Sequence, residues 1–242
     1  MECTFSIARW HAVSTRPNGE SGWRAWALGE KAVENFAETR PDTAFLPALQ
    51  RRRLGLPARL LFQAAHPLLQ EGEHCPLVLS SYDGEINRSF ELWPQLLSGG
   101  GVSPTSFGLS VHNASSGQWS MLRGDMSEYT TLSAQQDGLE TAVIEALGMI
   151  ADGAEKVLAV LVDDPINPAL QVQPVQSAPF PYAVALLLTA GSGWRIRRVE
   201  NDPAREQTGY WGALNWVRQQ HLGSQSWVNQ YRDKAWQWTK AA

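Results

Sequence analysis

The stretch from Ser103 to Asp164 constrains the fold more than any other part of the chain. Thr130, Thr131, Leu132 and Ser133 have strand character and run straight into the polar turn Gln135-Gln136-Asp137-Gly138. An amphipathic helix is expected to begin there, with Leu139, Val143, Leu147 and Ile150 in register and Asp152-Gly153 closing it. Lys156 to Val162 then reads as a buried strand. Upstream, Ser103-Pro104 has the chemistry of a helix start, a capping residue followed by proline in the first turn. A long helix is expected from that point. A strand that turns tightly into a helix N-terminus is the geometry with which many α/β enzymes present a nucleophile. Here the turn offers Gln136, not Ser or Cys.

The remaining pattern extends this unit. Phe5 to Val13 reads as a strand ended by Pro17-Asn18-Gly19. Trp23 to Phe36 has a loose helical period, and Pro41 to Arg53 is irregular. Leu56-Pro57 opens a clearer helix with Leu60, Leu61, Ala64, Ala65 and Leu68 on one face. Pro76 to Ser80 is continuous and apolar, as a strand covered on both faces requires. Ile86 to Leu97 is helical and stops at Gly99-Gly100-Gly101. Five prolines between Asp164 and Pro181 mark a long connection. Tyr182 to Thr189 and Trp194 to Val199, split by Gly191-Ser192-Gly193, are expected to form a hairpin. Beyond Asn201 the chain reads as helical and aromatic, with Tyr210, Trp211, Trp216, Trp227, Tyr231, Trp236 and Trp238. Alternating strands and helices imply an α/β layer sandwich over residues 1–200, with residues 201–242 as an aromatic-rich helical extension packed on it.

Composition excludes several classes. A net charge of −4 gives no electrostatic case for nucleic acid or an anionic membrane. The one basic cluster, Arg51-Arg52-Arg53 with Arg59, reads as solvated surface able at most to help dock an acidic partner. Two cysteines, Cys3 and Cys75, give no disulfide framework and fit a reducing compartment. No basic-then-apolar leader opens the chain, and its longest apolar run, Tyr182 to Ala190, is far below the roughly 20 residues of a spanning helix. A cytoplasmic protein is expected. The five histidines, His11, His66, His74, His112 and His221, show no metal-ligand spacing, so neither metal nor cofactor is expected. There is no GxxxxGK[ST] loop, and Gly117-Gln118-Trp119-Ser120-Met121 lacks the second glycine of a nucleophile elbow.

Ser110-Val111-His112-Asn113-Ala114-Ser115-Ser116-Gly117 resembles the segment that precedes the catalytic cysteine of β-ketoacyl synthases. Counting that family's fixed interval on from Gly117 lands on Gln136. Downstream, Ala142-Val143, Ala146, Ile150 and Gly153 resemble the helix after the cysteine, and counting back from Gly153 lands on Gln136 again. Phe45-Leu46-Pro47, Ser80-Ser81-Tyr82-Asp83-Gly84-Glu85 and Val102-Ser103-Pro104-Thr105-Ser106-Phe107 resemble further segments of the same family. The resemblance covers residues 1–200. It implies a thiolase-like layered α/β fold, the N-terminal half of a ketosynthase, with a mixed, mainly parallel five-stranded sheet flanked by helices.

The departures from the family carry the functional expectation. A full ketosynthase has a second half with two catalytic histidines, whereas the only histidine after Gln136 is His221. A cysteine thiolate can carry an acyl group; a neutral amide cannot. Gln at this place resembles the chain-length factors of type II polyketide synthases, and the SVHNA sequence is most similar to the truncated factors of aryl polyene clusters. The resemblance implies a non-catalytic subunit in a heterodimer with a full-length β-ketoacyl synthase, meeting acyl carrier protein only indirectly. It makes Gln136 the vestigial nucleophile position, with His112, Asn113 and Asp137 as neighbours. It assigns Thr105, Ser106, Phe107 and Leu109 to the helix start that closes the partner's acyl tunnel. Glu128, Tyr129, Thr130, Thr131, Leu132 and Ser133 become the strand that pairs across the interface. The alternative is an acyl-thioester hydrolase or acyltransferase built from Ser110, His112, Ser115, Ser116, Ser133, Asp125 and Asp137. A second alternative is Gln-dependent decarboxylation of a malonyl thioester.

Overall fold

A computed structural model describes residues 1–170, 177–205, 207–208 and 211–241. The elements run β1 (Glu2–Ser14), α1 (Gly19–Ala27), α2 (Ala48–Arg51), α3 (Leu56–Ala65), β2 (Leu77–Ser81), α4 (Ile86–Leu97), α5 (Pro104–Gly108) and α6 (Ala114–Arg123). They continue with β3 (Tyr129–Ser133), α7 (Gly138–Ala151), β4 (Lys156–Asp163), β5 (Tyr182–Val199), α8 (Gly212–His221), β6 (Ser226–Gln230) and β7 (Ala235–Lys240). Among the described residues seven strands form one sheet in the order β3-β2-β4-β5-β7-β6, with β1 also paired to β5.

The continuous apolar runs are explained by two-sided cover. Along β4, Val157, Ala159 and Leu161 pack into one core, while Leu158, Val160 and Val162 pack into the other. β5 divides in the same way, with Tyr182, Val184, Leu186 and Leu188 on one face and Ala183, Ala185 and Leu187 on the other. α7, α1 and α8 cover the first face, and α3 with Trp119 of α6 covers the second. Side chains that alternate across a pleat and are buried on both sides leave no polar face for the pattern to show.

The layered mixed α/β architecture is as expected, and the details depart from expectation at five points. First, residues 1–199 supply five strands and the tail two more, and only the β2–β3 and β2–β4 ladders are parallel against four antiparallel ones. Second, the segment read as a hairpin is one long strand. β1 runs antiparallel along both halves of β5, pairing Ser6 with Thr189 and Phe5 with Trp194, so Gly191-Ser192-Gly193 is a bulge in β5. A Cβ at Gly191 would fall 2.0 Å from Ser6 Oγ, so the close approach of β1 demands glycine there. Third, the long helix expected from Ser103 is broken into α5 and α6, and that from Trp23 to Phe36 ends at Ala27.

Fourth, the tail is helical only over α8. Trp227 lies on β6, Trp236 and Trp238 on β7, and Tyr231 just beyond β6, while Tyr210 lies outside the described residues. The cause is long-range pairing. β7 adds to the second half of β5, Ile196 opposite Trp238, and β6 closes on β7. Residues 171–176 of the proline-marked connection also lie outside the described residues. Fifth, Arg59 is not solvated surface. It is buried and donates to the carbonyls of Leu54 and Arg51 and to the Thr43 hydroxyl, and burial lowers its pKa.

Trp238 is fully buried, stacks on Trp227 at 6.0 Å and meets Phe5 of β1 edge-on. Truncating such a side chain removes its packing and leaves a cavity. Trp238→Ala is expected to destabilise the whole chain by about 3–5 kcal/mol in urea unfolding. An unchanged midpoint would mean that the tail is not part of the cooperative core.

Candidate functional site

β3 ends at Ser133, and the amide of Ala134 still donates to the Ser81 carbonyl at 3.1 Å. The chain then turns through Gln136 and Asp137 into α7 at Gly138. The turn is tight because Gly138 packs on the neighbouring strands. A Cβ there would stand 2.5 Å from Leu161 Cδ1 and 3.2 Å from Ser80 Oγ. Gln136 thus sits in the strand-to-helix bend at which the two sequence frames converge.

The bend is held from below by two buried carboxylates. Asp137 takes both oxygens to Lys234 Nζ at 3.1 Å and accepts from Trp236 Nε1 at 3.2 Å. Glu140, one turn into α7 and fully buried, accepts at Oε1 from Asn229 Nδ2 at 2.6 Å, Trp238 Nε1 at 3.1 Å and Tyr231 Oη at 3.3 Å. Burial raises the pKa of Glu140, and the bonds from Asn229 and Trp238 oppose that rise. Gly212, at the start of α8, donates its amide to the Gln136 carbonyl at 3.0 Å. A Cβ on Gly212 would lie 2.1 Å from Tyr231 Oη and 2.9 Å from that carbonyl, so the tail seats directly on the bend.

The Gln136 side chain is half-buried and lines a cavity of about 670 Å³ with Tyr82, Asp137, Gln230, Tyr231 and Lys234. Its amide has no hydrogen-bond partner among the described residues. His112 stands elsewhere. Its ring packs on Gly84, where a Cβ would fall 2.9 Å from Cδ2, and it lines a small recess with Glu85 and Ser115. Burial lowers its pKa, and its Nε2 is unpartnered among the described residues. Asn113 is exposed before α6 and gives that helix no side-chain cap.

Three of the four serines and both aspartates of the hydrolase alternative are engaged elsewhere. Ser110 Oγ donates to the Phe107 carbonyl at 2.8 Å, Ser115 Oγ donates to Glu85 Oε1 at 2.7 Å, and Ser116 pairs with Thr131 Oγ1 at 2.8 Å. Asp125 accepts from the amides of Ser127 and Cys75. Among the described residues none of them bonds to His112, so no Ser–His–Asp relay is assembled. The Cys75 thiol, buried beside Asp125, is pushed up to about 11, far from a reactive thiolate. No group of three or more His, Cys, Asp or Glu among the described residues could hold a metal ion, and no helix there is long and apolar enough to cross a membrane.

Two surface features bear on partners. Among the described residues β3 pairs with β2 alone, so its outer edge is open, and Tyr129 is exposed on it. Large apolar side chains are exposed on the neighbouring helices: Trp93, Leu96 and Leu97 on α4, Phe107 on α5 and Met121 on α6. Phe107, at 60% exposure, is not core, and Thr105 beside it is also exposed. Ser106 and Leu109 are half-buried.

The family model for the beta-ketoacyl synthase, N-terminal domain, matches residues 23–239. The chain belongs to that family. It is similar to the chain length factor ApeC, solved in complex with its ketosynthase ApeO from Xenorhabdus doucetiae, at 26% identity over 98% of this chain and 100% of that one, with a TM-score of 0.85. The ishigamide ketosynthase/chain length factor shares the fold at 12% identity, over 84% of this chain and 69% of that one, with a TM-score of 0.64. So does AntDE:AntF, a type II polyketide synthase acyl-carrier protein in complex with its ketosynthase, at 12% identity over the whole of both chains and a TM-score of 0.67. No curated protein matches the chain.

Within this β-ketoacyl synthase N-terminal domain, sequence reasoning missed Glu140, Lys234, Gly212 and Asp163. Their partners are distant in sequence, and only the alternation of Trp236 and Trp238 hinted at a strand that would bring them in. Asp163, at the end of β4, is buried and accepts from the Tyr82 amide at 2.8 Å and Tyr182 Oη at 3.0 Å. Burial pushes its carboxyl up to about 6, against the pull of those bonds, and burial with Asp163 and Asp164 nearby does the same to Asp83. A carboxyl whose folded pKa lies above its unfolded value binds the proton more tightly when folded. Its contribution is fully present at low pH and is lost as pH rises from 3.8 through about 6. Asp163→Asn keeps the shape without the charge. Its urea midpoint is expected to gain on wild type as pH rises through that window, and a difference independent of pH would contradict the assignment.

Proposed function

We propose that this chain is a chain length factor, a subunit without condensing activity of its own that forms a heterodimer with a full-length β-ketoacyl synthase and shapes its acyl tunnel. The observation that carries this reading is Gln136. It occupies the strand-to-helix bend of a ketosynthase-type domain, where an acyl group would need a thiolate. An amide can donate and accept hydrogen bonds but offers no acyl carrier. The similarity to ApeC over nearly the whole chain supports the same role.

The surface fits a subunit that works by contact. An open edge strand presents unpaired amides and carbonyls, which stable proteins cover, blunt or pair. β3 is such an edge, and pairing it with the equivalent strand of a ketosynthase extends the sheet across the interface. Phe107 and Thr105 on α5, with Ser106 and Leu109, then project toward the partner and limit the length of a growing chain. Steric closure suffices for this, since forcing extra methylenes into a packed apolar slot costs about 1–3 kcal/mol. Polyene or polyketide assembly on a carrier protein is the proposed context, with the carrier meeting the ketosynthase.

Co-expression with a full-length ketosynthase is expected to yield a one-to-one complex on size-exclusion chromatography. Phe107→Ala in that complex should lengthen the products read by mass spectrometry. A monomer indifferent to the ketosynthase would overturn the proposal, as would acyl transfer to the isolated chain from malonyl carrier protein.

A further inference from the structure

α5 is short, lies on the surface and carries the side chains assigned above to tunnel closure, so something must fix where it stands. Its first residue, Pro104, has no amide to donate, and Ser103 gives it no side-chain cap. Two side chains of α4 reach its backbone instead. Arg88 Nε donates to the Ser106 carbonyl at 3.3 Å. Ser89 Oγ stands 3.4 Å from both the Ser110 carbonyl, just past α5, and the Glu85 carbonyl, and its one proton serves either. Ser110 Oγ in turn donates to the Phe107 carbonyl. The backbone on either side of Phe107 is therefore tied to one turn of α4.

Glu85, three residues before Arg88, is buried and accepts from Ser115 Oγ of α6 at 2.7 Å. Burial raises its pKa, and the Ser115 bond and the Arg88 charge oppose that rise. Among the described residues Arg88 forms no ion pair at contact distance, and its hydrogen bond goes to the Ser106 carbonyl. α4 is thus joined to α5 through Arg88 and, at Glu85 just before its first turn, to α6 through Ser115. A guanidinium suits this place because it stays charged and its planar donors have fixed directions.

We propose that Arg88 is a positioning residue for chain length, tethering α5 to α4 through the Ser106 carbonyl and so setting how far Phe107 projects into the partner's tunnel. This rests on the chain-length-factor reading. Arg88 touches no reacting atom in this account; it acts through α5. Ser89 is a second, weaker tether to the same segment.

The test uses the heterodimer with its ketosynthase, malonyl carrier protein as extender, and mass spectrometry of the carrier-bound chains. Arg88→Ala is expected to co-elute with the ketosynthase and to broaden the products by at least one extension unit, with Arg88→Lys restoring most of the narrow distribution. Ser89→Ala should broaden it less. An unchanged distribution in Arg88→Ala, while Phe107→Ala still shifts it, would overturn the role of Arg88 and leave the chain-length reading intact. An unchanged distribution in Phe107→Ala would overturn the reading of α5 and the tether with it. Loss of co-elution in both Arg88 variants would assign Arg88 to folding and likewise overturn the proposal.

Discussion

Glu140 is fully buried in the first turn of α7, and the side chains that donate to its Oε1 all lie in the last part of the chain. Its Oε2 has no partner among the described residues. Asn229, Tyr231 and Trp238 converge on one of its oxygens, and Lys234 and Trp236 satisfy Asp137 three residues earlier. Leaving a buried charged group unpaired costs several kcal/mol, so the arrangement couples α7 to β6 and β7 more strongly than their apolar packing alone. The rest follows from that coupling. With β7 drawn onto β5, the sheet is completed on one side by the tail, α8 is laid across α7, and Gly212 reaches the carbonyl of Gln136.

The bend is therefore fixed by the polypeptide itself and not by a reactive group. In an enzyme of this layout the bend would present a nucleophile to a substrate; here it presents an amide, and nothing on the described surface assembles the histidines that condensation requires. What the described residues do expose is an unpaired strand edge and several large apolar side chains on α4, α5 and α6. An open edge and exposed apolar side chains suit a domain that acts on a neighbour, as the proposed role requires.

Much of this was legible in the residues. The unit from β3 to β4 is local, and its periodicity, turn chemistry and glycine punctuation placed Gln136 at the bend without help from distant contacts. β2 and α4 were found for the same reason. The misses share one cause. Gly191-Ser192-Gly193 has the composition of a turn, and only the pairing of β1 along both halves of β5 makes it a bulge. Trp227, Tyr231 and Trp238 have near-helical spacing, yet β5 pairs with β7 and β7 with β6, so Trp238 and Trp227 take strand places and Tyr231 follows β6. Glu140 gave no sign of burial, since a glutamate in the first turn of a helix is ordinarily a solvated partner of the helix dipole. Only the donors of the tail reverse that expectation.

The central claim is that β3 is an interface strand and the chain a partner subunit. Hydrogen exchange of the β3 amides, Tyr129 to Ser133, tests it most directly when followed in the isolated chain and again with a full-length ketosynthase present. Sheet pairing across the interface requires strong slowing of the outward-facing amides of β3 upon mixing, with the β4 amides, protected in both states, as reference. Equal exchange of β3 with and without the ketosynthase would contradict the account.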